Sequence, residues 1–320
     1  MSENIIVEPI ENYALKSGNS SKTLFSKIGV VGCGKEGQNI VRMAATNGIE
    51  VVFIEYDKEK IDLAIAKISK ELDKRIENWG LTQGEKKAIM ARIHGSLDYQ
   101  DLAGCDFVIE VIRSNTTTGE RNIELRKQVF KNIEAVVEQN AIIATNTTTI
   151  VLSELVSDLN FPERCVSLHF FVTSPEARIV EVAKGLYTSD EVYSRVSTFV
   201  KLINREVIPV AESVGLIGAR LFVVMLNEAC LLLMEGIATK EDIDKVALVG
   251  MGMRLGVFRM ADIIGLDKVI IWMENLYEEY GETKYKPSQL IKRLVRTQHF
   301  GIQSGEGFYR YDENGKPVIN

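Results

Sequence analysis

The stretch Lys27-Ile28-Gly29-Val30-Val31-Gly32-Cys33-Gly34-Lys35-Glu36-Gly37 decides the fold. A short β-branched run ends at three glycines spaced G-x-G-x-x-G, and a helical pattern follows to about Thr46. Each glycine has a physical task in such a turn. Gly32 permits the sharp reversal, Gly34 lets the backbone approach a pyrophosphate, and Gly37 lets helix and strand pack closely. The helix start then attracts the anion through its N–H groups and dipole. The same glycines could serve a bare strand-to-helix turn, so the residues around them carry the argument further.

Val51 to Ile54 reads as the next strand, which makes a βαβ unit. Glu55 ends that strand, where an acid can accept hydrogen bonds from the adenosine ribose and repel a 2′-phosphate; NAD is therefore expected over NADP. Lys35 and Glu36 fill the variable positions of the turn. Glu36 is expected to face solvent, since a carboxylate turned toward the pyrophosphate would weaken cofactor binding.

Outward from this unit, a charged helical pattern runs from Lys58 to Asn78, and after a turn at Gly80 the stretch Thr82-Gln83-Gly84-Glu85 resembles a helix start, so that a helical hairpin is expected before the next strand. Strands are expected at Phe107 to Ile112, Ala141 to Thr145, Cys165 to Leu168 and Ile179 to Val182, with helices at about Arg121 to Glu138 and Asp190 to Asn204. After Pro209 only helical patterns follow: Leu216 to Met234, Lys240 to Val249, Phe258 to Ile264, Lys268 to Tyr280 and Ser288 to Thr297. The fold class expected is α/β, a Rossmann-type, mostly parallel sheet followed by an all-α domain. Residues 1–26 are expected to be a tail, 27–212 the NAD-binding domain and 213–320 the helical domain for substrate and dimerisation.

The chain has 320 residues, 46% hydrophobic and 26% charged, the balance of a globular protein of two domains. A net charge of −6, from 38 basic and 44 acidic residues, argues against a nucleic-acid-binding surface. Cys33, Cys105, Cys165 and Cys230 are dispersed, without C-x-x-C pairs, and are expected to be reduced, buried thiols rather than metal ligands; no metal is expected. The first residues lack the basic and apolar regions of a signal peptide. No apolar run reaches the ~18 residues of a membrane span, so a cytoplasmic location without membrane association is expected.

Further motifs follow in order: Asp106-Phe107-Val108-Ile109-Glu110, Ala144-Thr145-Asn146-Thr147-Thr148, His169-Phe170-Phe171, Ile179-Val180-Glu181-Val182, Leu226-Asn227-Glu228-Ala229, Ala261 to Asp267, and Gly305-Glu306-Gly307-Phe308-Tyr309. As an ordered set over Lys27 to Tyr311 they resemble the 3-hydroxyacyl-CoA dehydrogenase family, which includes 3-hydroxybutyryl-CoA dehydrogenase. The resemblance implies NAD as cofactor, an acyl-CoA thioester as substrate and a homodimer formed through the helical domain. It implies that His169 is the base that takes the 3-hydroxyl proton, that Glu181 orients it, and that Thr148 stands for the family's substrate-contacting serine. Glu110 and Asn146 are implied beside the cofactor. Of the other histidines, His94 is expected in the core and His299 at the surface.

Several family positions differ. Val172 and Thr173 stand where the family's His-Phe-Phe-Asn-Pro has asparagine and proline, and Ala219 stands where it has an active-site asparagine. Arg254-Leu255-Gly256-Val257 replaces Pro-Met-Gly-Pro, Ser114 replaces an acid, and the loop Arg113 to Glu120, with Thr116 to Thr118, is longer. These departures keep two alternatives open: a dehydrogenase of a 3-hydroxy acid without CoA, and a noncatalytic NAD(H)-binding protein.

Overall fold

The computed structural model describes residues 25–113, 122–171 and 177–318. Ser114, Thr116 to Thr118, Val172 and Thr173 lie outside the described residues, as does the tail through residue 24. Phe25, expected in that tail, is instead buried, with its ring 5.8 Å from Phe107 and 5.3 Å from Phe199.

Among the described residues one sheet of eight strands runs in the order β3-β2-β1-β4-β5-β6-β7-β8. The strands are β1 (Lys27–Val31), β2 (Glu50–Ile54), β3 (Ile93–Ser96), β4 (Phe107–Glu110), β5 (Ile142–Thr145), β6 (Cys165–Phe170), β7 (Ile179–Lys184) and β8 (Glu206–Ala211). Every pairing is parallel except β6 with β7. Strands β3 and β8 escape the sequence reading for a shared reason. β3 carries His94 and Gly95, and β8 lies at the edge with Pro209 and a mostly uncovered face, so neither shows a buried apolar run. His94 is accordingly exposed on β3 and not packed in the core.

The crossover helices are α1 (Lys35–Thr46), α2 (Lys58–Glu77), α3 (Gln83–Met90), α4 (Ile123–Glu134), α5 (Leu152–Val156) and α6 (Asp190–Leu202). The helix start expected at Thr82 is that of α3, and the structure adds a capping box there, Thr82 Oγ1 accepting from Glu85 N while Glu85 accepts from Thr82 N at 2.7 Å. Two buried clusters cover the faces of the sheet, and the apolar faces of α1, α2 and α6 close one of them.

A third core belongs to the helical part, built from α7 (Gly218–Met234), α8 (Lys240–Lys245), α9 (Val257–Ile264), α10 (Leu266–Tyr280) and α11 (Gln289–Arg296). The helix expected to Val249 ends early, because the chain passes into a π turn over Val246–Gly250. Asp262 staples the C-terminal segment to α9: its carboxylate accepts the N–H groups of Phe308 and Tyr309, each at 2.9 Å, and the Tyr311 hydroxyl at 2.6 Å. No helix among the described residues is long and apolar enough to cross a membrane. The four cysteines are buried free thiols.

Candidate active site

At the end of β1, Gly32 and Gly37 have the close backbone approaches that their spacing predicts. Gly32 has φ +95° and its N–H donates to Ile54 O at 2.9 Å; a Cβ there would stand 2.9 Å from Val111 O. A Cβ on Gly37 would stand 2.1 Å from Gly32 O, so helix and strand meet at backbone contact. Gly34 is different, since a Cβ there would meet nothing within 4 Å. The turn is open on that side, and α1 begins there without a side-chain cap, leaving its first N–H groups to a ligand. Glu55 reaches back to the same turn, its Oε1 accepting from Cys33 N at 2.6 Å. An open turn, an uncapped helix start and a carboxylate at the end of β2 fit a dinucleotide.

The single antiparallel pairing of the sheet sets His169 of β6 directly opposite Glu181 of β7. Cross-strand partners project from the same face, so the two side chains meet: Nδ1 lies 2.7 Å from Glu181 Oε2. The other carboxylate oxygen accepts from the N–H groups of Ile217 and Gly218, each at 3.0 Å, at the start of α7. Burial would raise the Glu181 carboxyl, but the hydrogen bond and charge of His169, helped by these two N–H groups, hold it below its ordinary value. An ionised Glu181 places the ring hydrogen on Nδ1 and the basic lone pair on Nε2. Both residues are buried, at 5% and 1% exposure, and no partner is recorded for Nε2 among the described residues. The Phe171 ring lies 5.3 Å from the imidazole and closes against Gly218, where a Cβ would stand 2.6 Å from it.

Asn146, at the end of β5, ties this dyad to the turn. Its Oδ1 accepts from Phe170 N at 2.9 Å, and its Nδ2 donates to Glu36 Oε2 at 2.9 Å. Glu36 therefore faces inward, contrary to the expectation that it meets solvent, because Lys268 of α10 forms an ion pair with its other oxygen. Burial alone would raise the Glu36 carboxyl, and the charge and hydrogen bond of Lys268 reverse this and keep it ionised.

A cleft of about 370 Å³ separates the two parts of the chain, lined by Gly34, Asn146 and Thr148 on one side and by Lys268 and Trp272 on the other. Thr148 sits where its backbone carbonyl accepts from Gly215 N at 2.9 Å. Of the residues singled out from the sequence, Gly34, Asn146 and Thr148 line this cleft, while Gly32, Gly37, Glu55, His169 and Glu181 do not. Glu110 lies beneath it. Fully buried, Glu110 forms an ion pair with Arg126, accepts from the Thr145 hydroxyl at 2.7 Å and accepts from Ile112 N at 2.7 Å. Ala219 is buried in the first turn of α7.

The sequence reading misses the helical domain's share of the cleft. Lys35 Nζ donates to Ile263 O at 2.9 Å, and Arg113 meets the Asp267 carboxylate at 2.5 Å while Gln303 donates to the other oxygen of Asp267 at 2.8 Å. Nothing in spacing links Glu36 with Lys268, which are joined only by packing. A second cavity of about 450 Å³ is also missed, lined by Arg42, Arg75, Arg178 and Arg205 together with Asn47 and Asn204. Met43 and Arg205 are shared between it and a small pocket of about 30 Å³ against Phe170 and Phe171.

Comparison with known proteins agrees with this geometry. Residues 27–213 match the 3-hydroxyacyl-CoA dehydrogenase NAD binding domain, and residues 215–311 match the C-terminal domain of the same family. A probable 3-hydroxybutyryl-CoA dehydrogenase of Deinococcus radiodurans is 34% identical over 285 residues, covering 89% of this chain and 100% of that one. The crystal structure of (S)-3-hydroxybutyryl-CoA dehydrogenase PaaH1 from Ralstonia eutropha superposes with a TM-score of 0.81 at 33% identity, covering 90% of this chain and 100% of that one. FadB2 of M. tuberculosis superposes with a TM-score of 0.84 at 28% identity, covering 90% and 99%. With both of its halves matched and with relatives aligned over nearly their whole length, the chain belongs to the 3-hydroxyacyl-CoA dehydrogenase family of NAD-dependent oxidoreductases.

Proposed function

We propose that this protein interconverts a 3-hydroxyacyl-CoA, such as 3-hydroxybutyryl-CoA, and the 3-ketoacyl-CoA, with His169 as the base. The buried His169–Glu181 dyad beside an open dinucleotide turn is the observation that carries the reading. When bound, NAD supplies the acceptor for the hydride that leaves C3. In the oxidation, Nε2 of His169 takes the proton of the 3-hydroxyl, and Glu181 stabilises the imidazolium that results. Asn146 holds Phe170 and thereby the end of β6 that carries His169. Thr148 offers a hydroxyl at the cleft wall for the substrate oxygen. In the reverse direction the imidazolium returns the proton to the ketone oxygen.

The arginine-lined cavity supports a CoA thioester in particular. Guanidinium groups pair well with phosphate oxygens, and Arg42, Arg75, Arg178 and Arg205 line one cavity in a chain of net charge −6. The small pocket shares Met43 and Arg205 with that cavity and is lined by Phe171, whose ring lies 5.3 Å from the His169 imidazole. Replacing Arg178, which is exposed at the start of β7, with glutamine is expected to raise KM for acetoacetyl-CoA about tenfold. KM for the acetoacetyl thioester of N-acetylcysteamine, which has no phosphate, should be unchanged. Equal effects on both thioesters would remove the arginines from CoA recognition.

The direct assay follows NADH oxidation with acetoacetyl-CoA and, in parallel, with free 3-keto acids. Turnover of the thioester is expected. Turnover of free keto acids alone would establish the second reading, a substrate without CoA, which Ala219 favours because no amide stands at that position of α7. NADH binding without turnover of either would leave a noncatalytic binding protein.

The active species proposed is a homodimer joined through the helical domain. Its support is an uncovered apolar face: Val246, Val249 and Met251 are 57%, 78% and 70% exposed beside a groove lined by Met225, Ala229 and Leu232.

A further inference from the structure

Lys268 lies in the first turn of α10, in the helical domain, yet its ammonium reaches across the cleft to the glycine turn of the other domain. It meets Glu36, whose second oxygen is already taken by Asn146, and both ionic side chains are half-buried, at 22% and 23% exposure. Lys35 is close by, and burial first and the positive charge of Lys268 second push its ammonium below the ordinary lysine value. Arg113, on the same cleft, is already paired with Asp267 and leaves the balance between Lys35, Lys268 and Glu36 unchanged. Lys35 has no carboxylate within ion-pair distance among the described residues, so one carboxylate, Glu36, stands between Lys35 and Lys268 at the open side of Gly34. That arrangement is short of negative charge on the side where the turn offers its N–H groups to an anion.

We propose that Lys268, together with Lys35, binds the pyrophosphate of the dinucleotide, so that the helical domain contributes a cation to a site built by the glycine turn. Glu36 then serves as the resident counter-ion that keeps Lys268 at the turn before the cofactor arrives. The inference does not depend on which hydroxy acid is oxidised, since it concerns the cofactor alone.

A double-variant comparison tests it by NADH fluorescence titration, with ADP-ribose and adenosine as competing ligands. Lys268→Met is expected to weaken NADH and ADP-ribose binding by more than about tenfold, because the cation is lost and Glu36 is left facing the phosphates. Adenosine, with no phosphate, should be unaffected. Glu36→Gln should bind NADH at least as tightly as the unaltered protein, since Lys268 is released to the phosphates alone. The deciding pair is Glu36→Gln against Glu36→Gln with Lys268→Met, because the double variant removes both members of the ion pair and strands neither of them. About tenfold weaker ADP-ribose binding in the double variant supports a direct contact with pyrophosphate. Equal binding in the two would show that Lys268 only neutralises Glu36, and the proposal would fall. It would fall equally if Lys268→Met weakened acetoacetyl-CoA binding while ADP-ribose binding stayed unchanged.

Discussion

His169 draws its chemical character from its partner across the strand pair, and the two can be separated by experiment. Replacing His169 with alanine is expected to lower turnover by roughly 10²- to 10⁴-fold while NADH affinity stays within about twofold, since the glycine turn is untouched. A stopped assay paired with a fluorescence titration reads both. Glu181→Gln should cost stability as well as turnover, about 1 to 3 kcal/mol, because a buried charged acceptor of three hydrogen bonds is replaced by a neutral one. The pH dependence follows from the lowered carboxyl of Glu181. A carboxyl held below its unfolded value gives stability that is present above that unfolded value and is lost as pH falls through the folded one. The gap in Tm between the two proteins should therefore be full at neutral pH and close in acid. A gap that widened on acidification would contradict an ionised Glu181. Glu55, turned to the backbone of Cys33, leads to the expectation that NADH binds more tightly than NADPH, and titration of both decides it.

Among the elements, β4, β5 and α4 are joined by one buried group. Glu110 and Thr145 are register partners on neighbouring parallel strands, and Arg126 of α4 brings its guanidinium to Glu110 while donating to Ile112 O at 2.7 Å. Arg126→Met would leave the Glu110 charge uncompensated at no solvent exposure, and a loss of about 3 to 5 kcal/mol in chemical denaturation is expected. The loss should be regained in part by adding Glu110→Gln, which removes the stranded charge. This buried network bears on how Glu110 could serve the cofactor: it would act by fixing the backbone of Ile112 at the cleft wall.

For the whole molecule, the cleft and the apolar face set separate predictions. Sedimentation should give a dimer, and Val249→Glu, which puts a carboxylate on the most exposed of the apolar positions named, should give monomers with the NADH affinity preserved. A monomeric unaltered protein would overturn the assembly proposed. Closing the cleft joins residues far apart in the chain: Glu36 to Lys268, Lys35 to Ile263 and Arg113 to Asp267. These contacts link the two domains at the glycine turn, so affinity for the dinucleotide is expected to respond to substitutions in α10 even though that helix carries none of the glycine motif.

The sequence by itself determined the βαβ unit, the run of helices after Pro209 and the glycine turn, because each rests on local geometry: short β-branched runs, apolar residues recurring near every fourth position, and glycine where φ is positive or a Cβ would strike backbone. The family motif also marked His169 and Glu181, though what brings them together is the antiparallel register of β6 and β7, which no spacing within either strand specifies. Tertiary structure alone decided the rest. It turned Glu36 inward by setting Lys268 against it, buried Glu110 beneath Arg126, left His94 exposed on a strand the apolar pattern did not reveal, and gathered four arginines from α1, α2 and the starts of β7 and β8 around one cavity. The physical reason is common to all four. Charged and polar side chains carry little periodic signal of their own, and their orientation follows from which partner the packing of distant elements brings within reach.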